Sequence, residues 1–131
     1  MVVEVTRAVL SELSAHASRS APQECCGIMI GENGRVVEAI PAENVHPTPQ
    51  TRFEIDPQTL IDTHRAMRGS TRQVLGYYHS HPNGRSHPSQ TDRELAAGDG
   101  KIWAIIAPGK TTWWRDAADG FRPLSLALTE G

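Results

Sequence analysis

The segment HSHPNGRSHPSQTD, His79 to Asp92, brings three imidazoles, three serines and a carboxylate into fourteen residues. Imidazole nitrogen and carboxylate oxygen are the usual donors of zinc and related metal sites. The same residue types also cap helices and build polar turns. Side chains alternate along a strand, so His79 and His81 project from one face while Ser80 points away. Two ligands then come from one strand end. Pro88-Ser89-Gln90-Thr91-Asp92 follows and reads as the opening turn of a helix, carrying a hydroxyl and a carboxylate. Two histidines and one aspartate would leave the fourth position of a zinc ion to water, the arrangement of a catalytic rather than a structural site. Zinc lowers the pKa of such a water to roughly 7. Two alternatives stand beside this reading. Ser89-x-x-Asp92 is a capping-box-like pattern that needs no metal, and His79, His81 and His87 would serve zinc equally well on ligand chemistry.

The elements that must position these residues follow from periodicity and turn signals. TRAVLSELSAHAS, Thr6 to Ser18, places Ala8, Val9, Leu13 and Ala17 near one helical face, with Thr6 or Ser11 as cap. CCGIMIG is a short apolar run suited to a strand covered on both faces, and GENGR turns it into a hairpin with RVVEAIPAENV. Residues 46–51 have no periodicity and read as an exposed loop. Phe53 and Ile55 alternate as in a short strand. Asp56-Pro57 then supplies a cap and a first-turn proline for a helix running to Gly69. QVLGYYHSH and KIWAIIA read as buried strands, Gln90 to Ala97 as a third helix, and TTWWRD with FRPLSLAL as a closing hairpin around ADG.

Bulk properties bound the rest. A chain of 131 residues suits a single domain, 1–131, with one real core. Its net charge of -2 gives no broad attraction to nucleic acid or to an anionic membrane. The apolar runs are too short to span a bilayer, and Met1 to Leu10 lacks the pattern of a signal peptide. The expectation is a soluble cytoplasmic protein. Cys25 and Cys26 are adjacent, which excludes a disulfide framework; both read as small apolar residues entering a strand.

HSHP, a gap of seven residues between His81 and Ser89, and SQTD together give H-x-H-x7-S-x2-D. This resembles the metal-binding signature of the JAMM (MPN-plus) zinc metallopeptidases. PQECCGIMIG is similar to the glutamate-bearing segment of short bacterial members, and FEIDP and GYYHSHP are similar too. The resemblance runs from about Pro22 to Ala107. It implies an α/β fold, a cytidine-deaminase-like three-layer arrangement with a mixed sheet flanked by about three helices. It also implies one Zn2+ per chain on His79, His81 and Asp92, which leaves His87 as a loop residue. Glu24 would serve as general base and then acid, and Ser89 as hydrogen-bond donor to water or oxyanion.

The implied activity is zinc-dependent peptidase or isopeptidase cleavage after the C-terminal Gly-Gly of a ubiquitin-like or sulfur carrier protein. Release of an amino acid from a sulfur carrier fits this chain length better than lysine-conjugate cleavage by a true deubiquitinase. The segment from about Ala42 to Arg52 could receive the extended tail as an added strand. Among the remaining residues, His16 and His64 read as surface or boundary positions, His46 as part of the substrate loop, and Trp113 and Trp114 as one core and one surface side chain. A competing class is an inactive MPN-type binding scaffold. The sequence assigns neither the carrier nor the oligomeric state.

Overall fold

The computed structural model describes residues 1–130. Among these residues the chain forms seven strands and three helices. Strand β1 (Val2–Thr6) leads directly into helix α1 (Arg7–Ser20), where the Thr6 hydroxyl accepts a hydrogen bond from the Val9 N–H and so caps the first turn. Val9 and Leu13 are the buried residues of α1, four apart and therefore on one face. Strands β2 (Cys26–Glu32) and β3 (Arg35–Ala42) form the expected antiparallel hairpin, with Asn33 and Gly34 at positive φ in its turn. Helix α2 (Pro57–Met67) starts as anticipated, Asp56 capping the Gln58 N–H and Pro57 standing in the first turn. Strand β4 (Gln73–Ser80), the short helix α3 (Gln90–Leu95), β5 (Ile102–Ala107), β6 (Lys110–Ala117) and β7 (Gly120–Thr129) follow.

The strands are ordered β1-β3-β2-β4-β5-β6-β7, and the sheet closes because β1 also pairs, in parallel, with β7. This corrects the three-layer expectation in part. Helices α1 and α2 do cover opposite faces of the central strands, but the sheet between them curls into a barrel. One core cluster gathers side chains from β1 to β6 around Val9 and Leu13 of α1. The other sets Cys26, Ile28, Ile30, Val74 and Trp103 beneath Phe53 and Ile55, with Leu60 and Met67 of α2 packed against them. The adjacent cysteines fall on opposite faces, Cys25 in the first cluster and Cys26 in the second, and both are free thiols.

Three expectations on element boundaries need correction. Phe53 and Ile55 bury their side chains, yet the segment makes only an isolated bridge between Ile55 and Asn44 rather than a strand. Helix α3 stops at Leu95, before Ala97, and α2 stops at Met67, before Gly69. Strand β1 carries alternating burial at Val3 and Val5 that the sequence reading passed over. No helix among the described residues is long and apolar enough to cross a membrane.

Strands β4 and β5 approach closely at Gly76, where an added Cβ would overlap the Ile102 carbonyl. The obstacle is backbone, which cannot rotate away as a side chain could. Gly76→Ala is therefore expected to cost at least about 1–3 kcal/mol, read as a lowered denaturant midpoint; an unchanged midpoint would contradict the close approach.

Candidate metal and catalytic site

His79 is the penultimate residue of β4 and His81 lies just beyond its end, where the His81 N–H still donates to the Ile106 carbonyl at 2.9 Å. Their Nε2 atoms converge to 3.1 Å. Asp92, in the first turn of α3, meets both: Oδ1 lies 3.0 Å from His79 Nε2 and Oδ2 lies 3.1 Å from His81 Nε2. All three side chains are buried. Ser80 points the opposite way, and its Oγ accepts the Cys25 N–H at 2.8 Å. That bond, with the Ser80 N–H donated to the Cys25 carbonyl, extends the β2–β4 register of Cys26 opposite His79. The same register puts Glu24 opposite His81 and on the face of both histidines. Glu24 is only 7% exposed, and its carboxylate and the two imidazoles offer ligand atoms within 4.8 Å of one another.

The donor set suits a cation. His81 Nδ1 faces the Arg85 carbonyl at 3.0 Å; a carbonyl only accepts, so Nδ1 carries a proton, and whenever the ring is neutral its lone pair is on Nε2, facing His79 and Asp92. Acceptor atoms packed 3.0–3.1 Å apart repel unless a positive charge lies among them. Those separations are also near the edge of a tetrahedron about a zinc ion, about 3.3 Å for bonds of 2.0–2.1 Å. Two carboxylates reach the cluster. Asp92 contacts both imidazoles directly, whereas Glu24 stands farther off.

Without a cation, protons supply the positive charge among these atoms, the imidazoles donating to Asp92. Burial pushes Asp92 up, but hydrogen bonds from His79 and His81 outweigh it and hold the carboxyl well below the usual range. Burial lowers His79 and keeps it neutral. Burial also opposes the charge on His81, yet the Asp92 hydrogen bond and charge raise that ring above its ordinary value. Burial pushes Glu24 up to about 7, His81 opposing and Asp92 adding to the rise. Burial pushes the Cys26 thiol up to about 12 and raises Cys25 as well, so neither is a thiolate near neutral pH.

Ser89 is the N-cap of α3, with its Oγ accepting the Asp92 N–H at 3.0 Å while Asp92 Oδ2 accepts the Ser89 N–H at 2.9 Å. The capping-box and metal readings of this segment therefore describe one arrangement. Accepting that bond leaves the Ser89 hydroxyl proton free to donate. His87 is not brought to the cluster; it is exposed and packs beside Trp114. Of the others, His16 is half-buried against the Tyr78 hydroxyl at 2.7 Å, His64 is exposed, Trp113 is buried and Trp114 partly so.

Two positioning features escaped the sequence reading. One is the Arg85 carbonyl, a backbone atom with no side-chain signature. The other is Asn44, whose Nδ2 donates to the Glu24 and Arg52 carbonyls and whose Oδ1 accepts from the His46 and Glu54 N–H groups. With the Glu24 N–H donated to the Pro49 carbonyl at 2.7 Å, this knot fixes Glu24 from both sides. The Asn-Val-His-Pro context in a loop was the available signal. Phe53 stacks on the His79 ring at 4.3 Å, and Trp103 meets it edge-on. Beside them opens a cleft of about 500 Å³ bounded by His46, Arg52, Leu60, Tyr77, Thr91 and Leu95. A cleft of about 520 Å³ lies against α1, on the side of β4 to which Ser80 points, and does not include the clustered imidazoles.

Residues 6–117 match the family described as prokaryotic homologs of the JAB domain, and the chain belongs to that family. It is 32% identical over 131 residues to a desampylase of Haloferax volcanii, covering 98% of this chain and 94% of that one. It is 39% identical over 92 residues to a probable TtuB-protein conjugate cleaving protease of Thermus thermophilus, 70% of this chain and 62% of that protein. A CysO-cysteine peptidase of Mycobacterium tuberculosis is 32% identical over 108 residues, 81% of this chain and 73% of that one. A solution structure from Desulfitobacterium hafniense superposes with a TM-score of 0.86 at 25% identity, over 99% of this chain and 94% of the other. The structure described as JAMM, a metalloprotease-like zinc site in the proteasome and signalosome, shares the fold with a TM-score of 0.65 at 18% identity, over 99% and 100% of the two chains. The chain is a hydrolase of this JAMM metallopeptidase class.

A metal ion can bind His81 only as the unprotonated ring. Because its pKa is raised above the ordinary imidazole value, Zn2+ affinity should begin to fall above about pH 6.5 as the pH is lowered. Competition titrations with a chromophoric chelator at several pH values measure this. An affinity flat down to pH 6 would contradict the raised value.

Proposed function

We propose that the chain is a zinc-dependent peptidase or isopeptidase that hydrolyses the bond after the C-terminal Gly-Gly of a ubiquitin-like or sulfur carrier protein. The observation that carries this reading is the meeting of His79, His81 and Asp92 at 3.0–3.1 Å with the buried Glu24 alongside. His79, His81 and Asp92 would hold one zinc ion, which supplies Lewis acidity toward the substrate carbonyl and activates water. Glu24 takes the proton from the attacking water and delivers it to the leaving amine; its burial keeps it near the pKa at which it can do both. The Ser89 hydroxyl donates to the oxygen on which negative charge develops. Zinc at two positive charges, Asp92 and Glu24 sum to zero, which suits a site largely shielded from solvent.

The substrate class is supported by the printed names of the relatives, which include a TtuB-protein conjugate protease and a CysO-cysteine peptidase. Release of a single amino acid from a sulfur carrier is the favoured form. Cleavage of lysine conjugates is the second reading, favoured by the conjugate protease at 39% identity. The complete cluster, with Glu24 held by Asn44 and Pro49, argues against an inactive scaffold.

The test incubates the purified protein with a sulfur carrier bearing one amino acid after Gly-Gly, and separately with a carrier joined to a lysine side chain, each with and without chelator. Mass spectrometry should show chelator-sensitive loss of the single residue. No cleavage of either by zinc-loaded protein would overturn the proposal. Glu24→Gln is expected to keep zinc and lose about 10²–10⁴-fold in turnover, while Asp92→Ala should lose both; wild-type turnover by Glu24→Gln would remove Glu24 as the base.

A further inference from the structure

Among the described residues, a chain of hydrogen bonds runs toward His81 from a strand that contributes nothing to the cluster itself. Thr112 of β6 pairs with Ile105 of β5, which pairs with His79 of β4, so the three occupy one cross-sheet row. Neighbours in such a row share a face, and the Thr112 side chain rises on the side of the histidines. Its hydroxyl donates to the Ser86 carbonyl at 2.6 Å, and the Trp114 Nε1–H donates to the Thr112 Oγ1 at 2.9 Å. The direction is unambiguous, because the indole only donates and the carbonyl only accepts. Ser86 directly follows Arg85, whose carbonyl holds His81 Nδ1. The 82–88 loop is closed on itself at its start, where the Gly84 N–H meets the His81 carbonyl and the Arg85 N–H meets Asn83 Oδ1. Toward its other end the loop is tied to the sheet at Ser86, with the His87 ring against Trp114 at 5.5 Å.

We propose that Thr112 is a positioning residue for the metal site: oriented by Trp114, it anchors the 82–88 loop so that the Arg85 carbonyl fixes His81 with its Nε2 lone pair turned toward the metal. This rests on the reading of His79, His81 and Asp92 as metal ligands. It goes further by making metal affinity depend on a hydroxyl three strands into the sheet from β2, on a residue whose side-chain hydrogen bonds go to Ser86 and Trp114 and not to the clustered side chains. The control over His81 cannot be exerted by a side chain at position 85, since the partner atom is backbone; the loop has to be placed from outside.

Thr112→Val tests this cleanly. Valine keeps the shape and the strand preference of threonine, so the β5–β6 ladder survives while the bond to Ser86 is lost. Partners that orient a ligating histidine typically change metal affinity by 10–100-fold, and at one step removed we expect about ten-fold weaker Zn2+ binding by chelator competition. The Co2+-substituted variant should show an altered absorption spectrum, a readout that a merely structural role would not move. Thr112→Ser restores the hydroxyl and should match wild type in both. Equal affinity and spectrum in Thr112→Val, or a Thr112→Ser protein as weak as Thr112→Val, overturns the proposal. If Thr112→Val does not fold, Trp114→Phe replaces it: several-fold weaker Zn2+ binding is expected, and wild-type affinity overturns the proposal. A wild-type chain that binds zinc yet cleaves no carrier defeats the proposed activity alone, whereas one that binds no metal defeats both.

Discussion

The carboxylate of Asp92 is claimed from three directions at once. The Ser89 N–H binds it from the first turn of its own helix, and His79 and His81 close on its two oxygens from the end of β4. Buried this deeply, an unpartnered carboxylate would cost several kcal/mol, so the strand end, the 82–88 loop and the start of α3 are stable only together. Helix α3 has six residues, too few to persist alone. It is held at its beginning by Asp92 and after its end by Asp116 of β6, whose buried carboxylate accepts the Ala97 and Gly98 N–H groups. The chemistry and the local fold are thus one set of hydrogen bonds.

A proton and a divalent ion compete for the same space in this cluster. Burial raises Glu24 and the Asp92 contact raises His81, so both groups favour their protonated forms, and a cation bound there would have to displace the proton on His81. Loading the ion and freeing the base are then coupled. The ring of Phe53 stacked on His79, with Trp103 against its edge, keeps water from lowering that competition by simple solvation.

Much of this arrangement is legible in local sequence because it is set by local rules. The parity of His79 and His81, the Asn33-Gly34 hairpin and the Asp56-Pro57 helix start each follow from a few consecutive residues and appear as expected. The capping pattern at Ser89 and Asp92 was legible as well, though it read as an alternative to ligation when the same Asp92 carboxylate both caps the helix and meets the two imidazoles. What stayed hidden is non-local. Strand β1 pairs in parallel with β3 and β7, partners reached by no short turn, so neither its existence nor the closure of the sheet has a local signal. Glu24 reads alone as a loop residue; its burial comes from the β2–β4 register and the Asn44 knot, and only the resemblance of its context singled it out. The segment of Phe53 and Ile55 alternates like a strand but finds a single bridge partner in Asn44, and buries its side chains without a ladder.

The parallel pairing of β1 with β7 has a mechanical consequence. Val2 lies opposite Ser125 and Thr6 opposite Thr129, so tension applied at Val2 and at Thr129 pulls the two strands along their common axis in opposite directions. Every rung between them bears load simultaneously, in shear, instead of opening one after another as a zipper does. Forced unfolding is governed by the barrier to the first rupture, and here that barrier is collective. An unfolding machine that grips either strand would load the closing seam of the barrel in shear, with the clustered imidazoles three strands away, at β4.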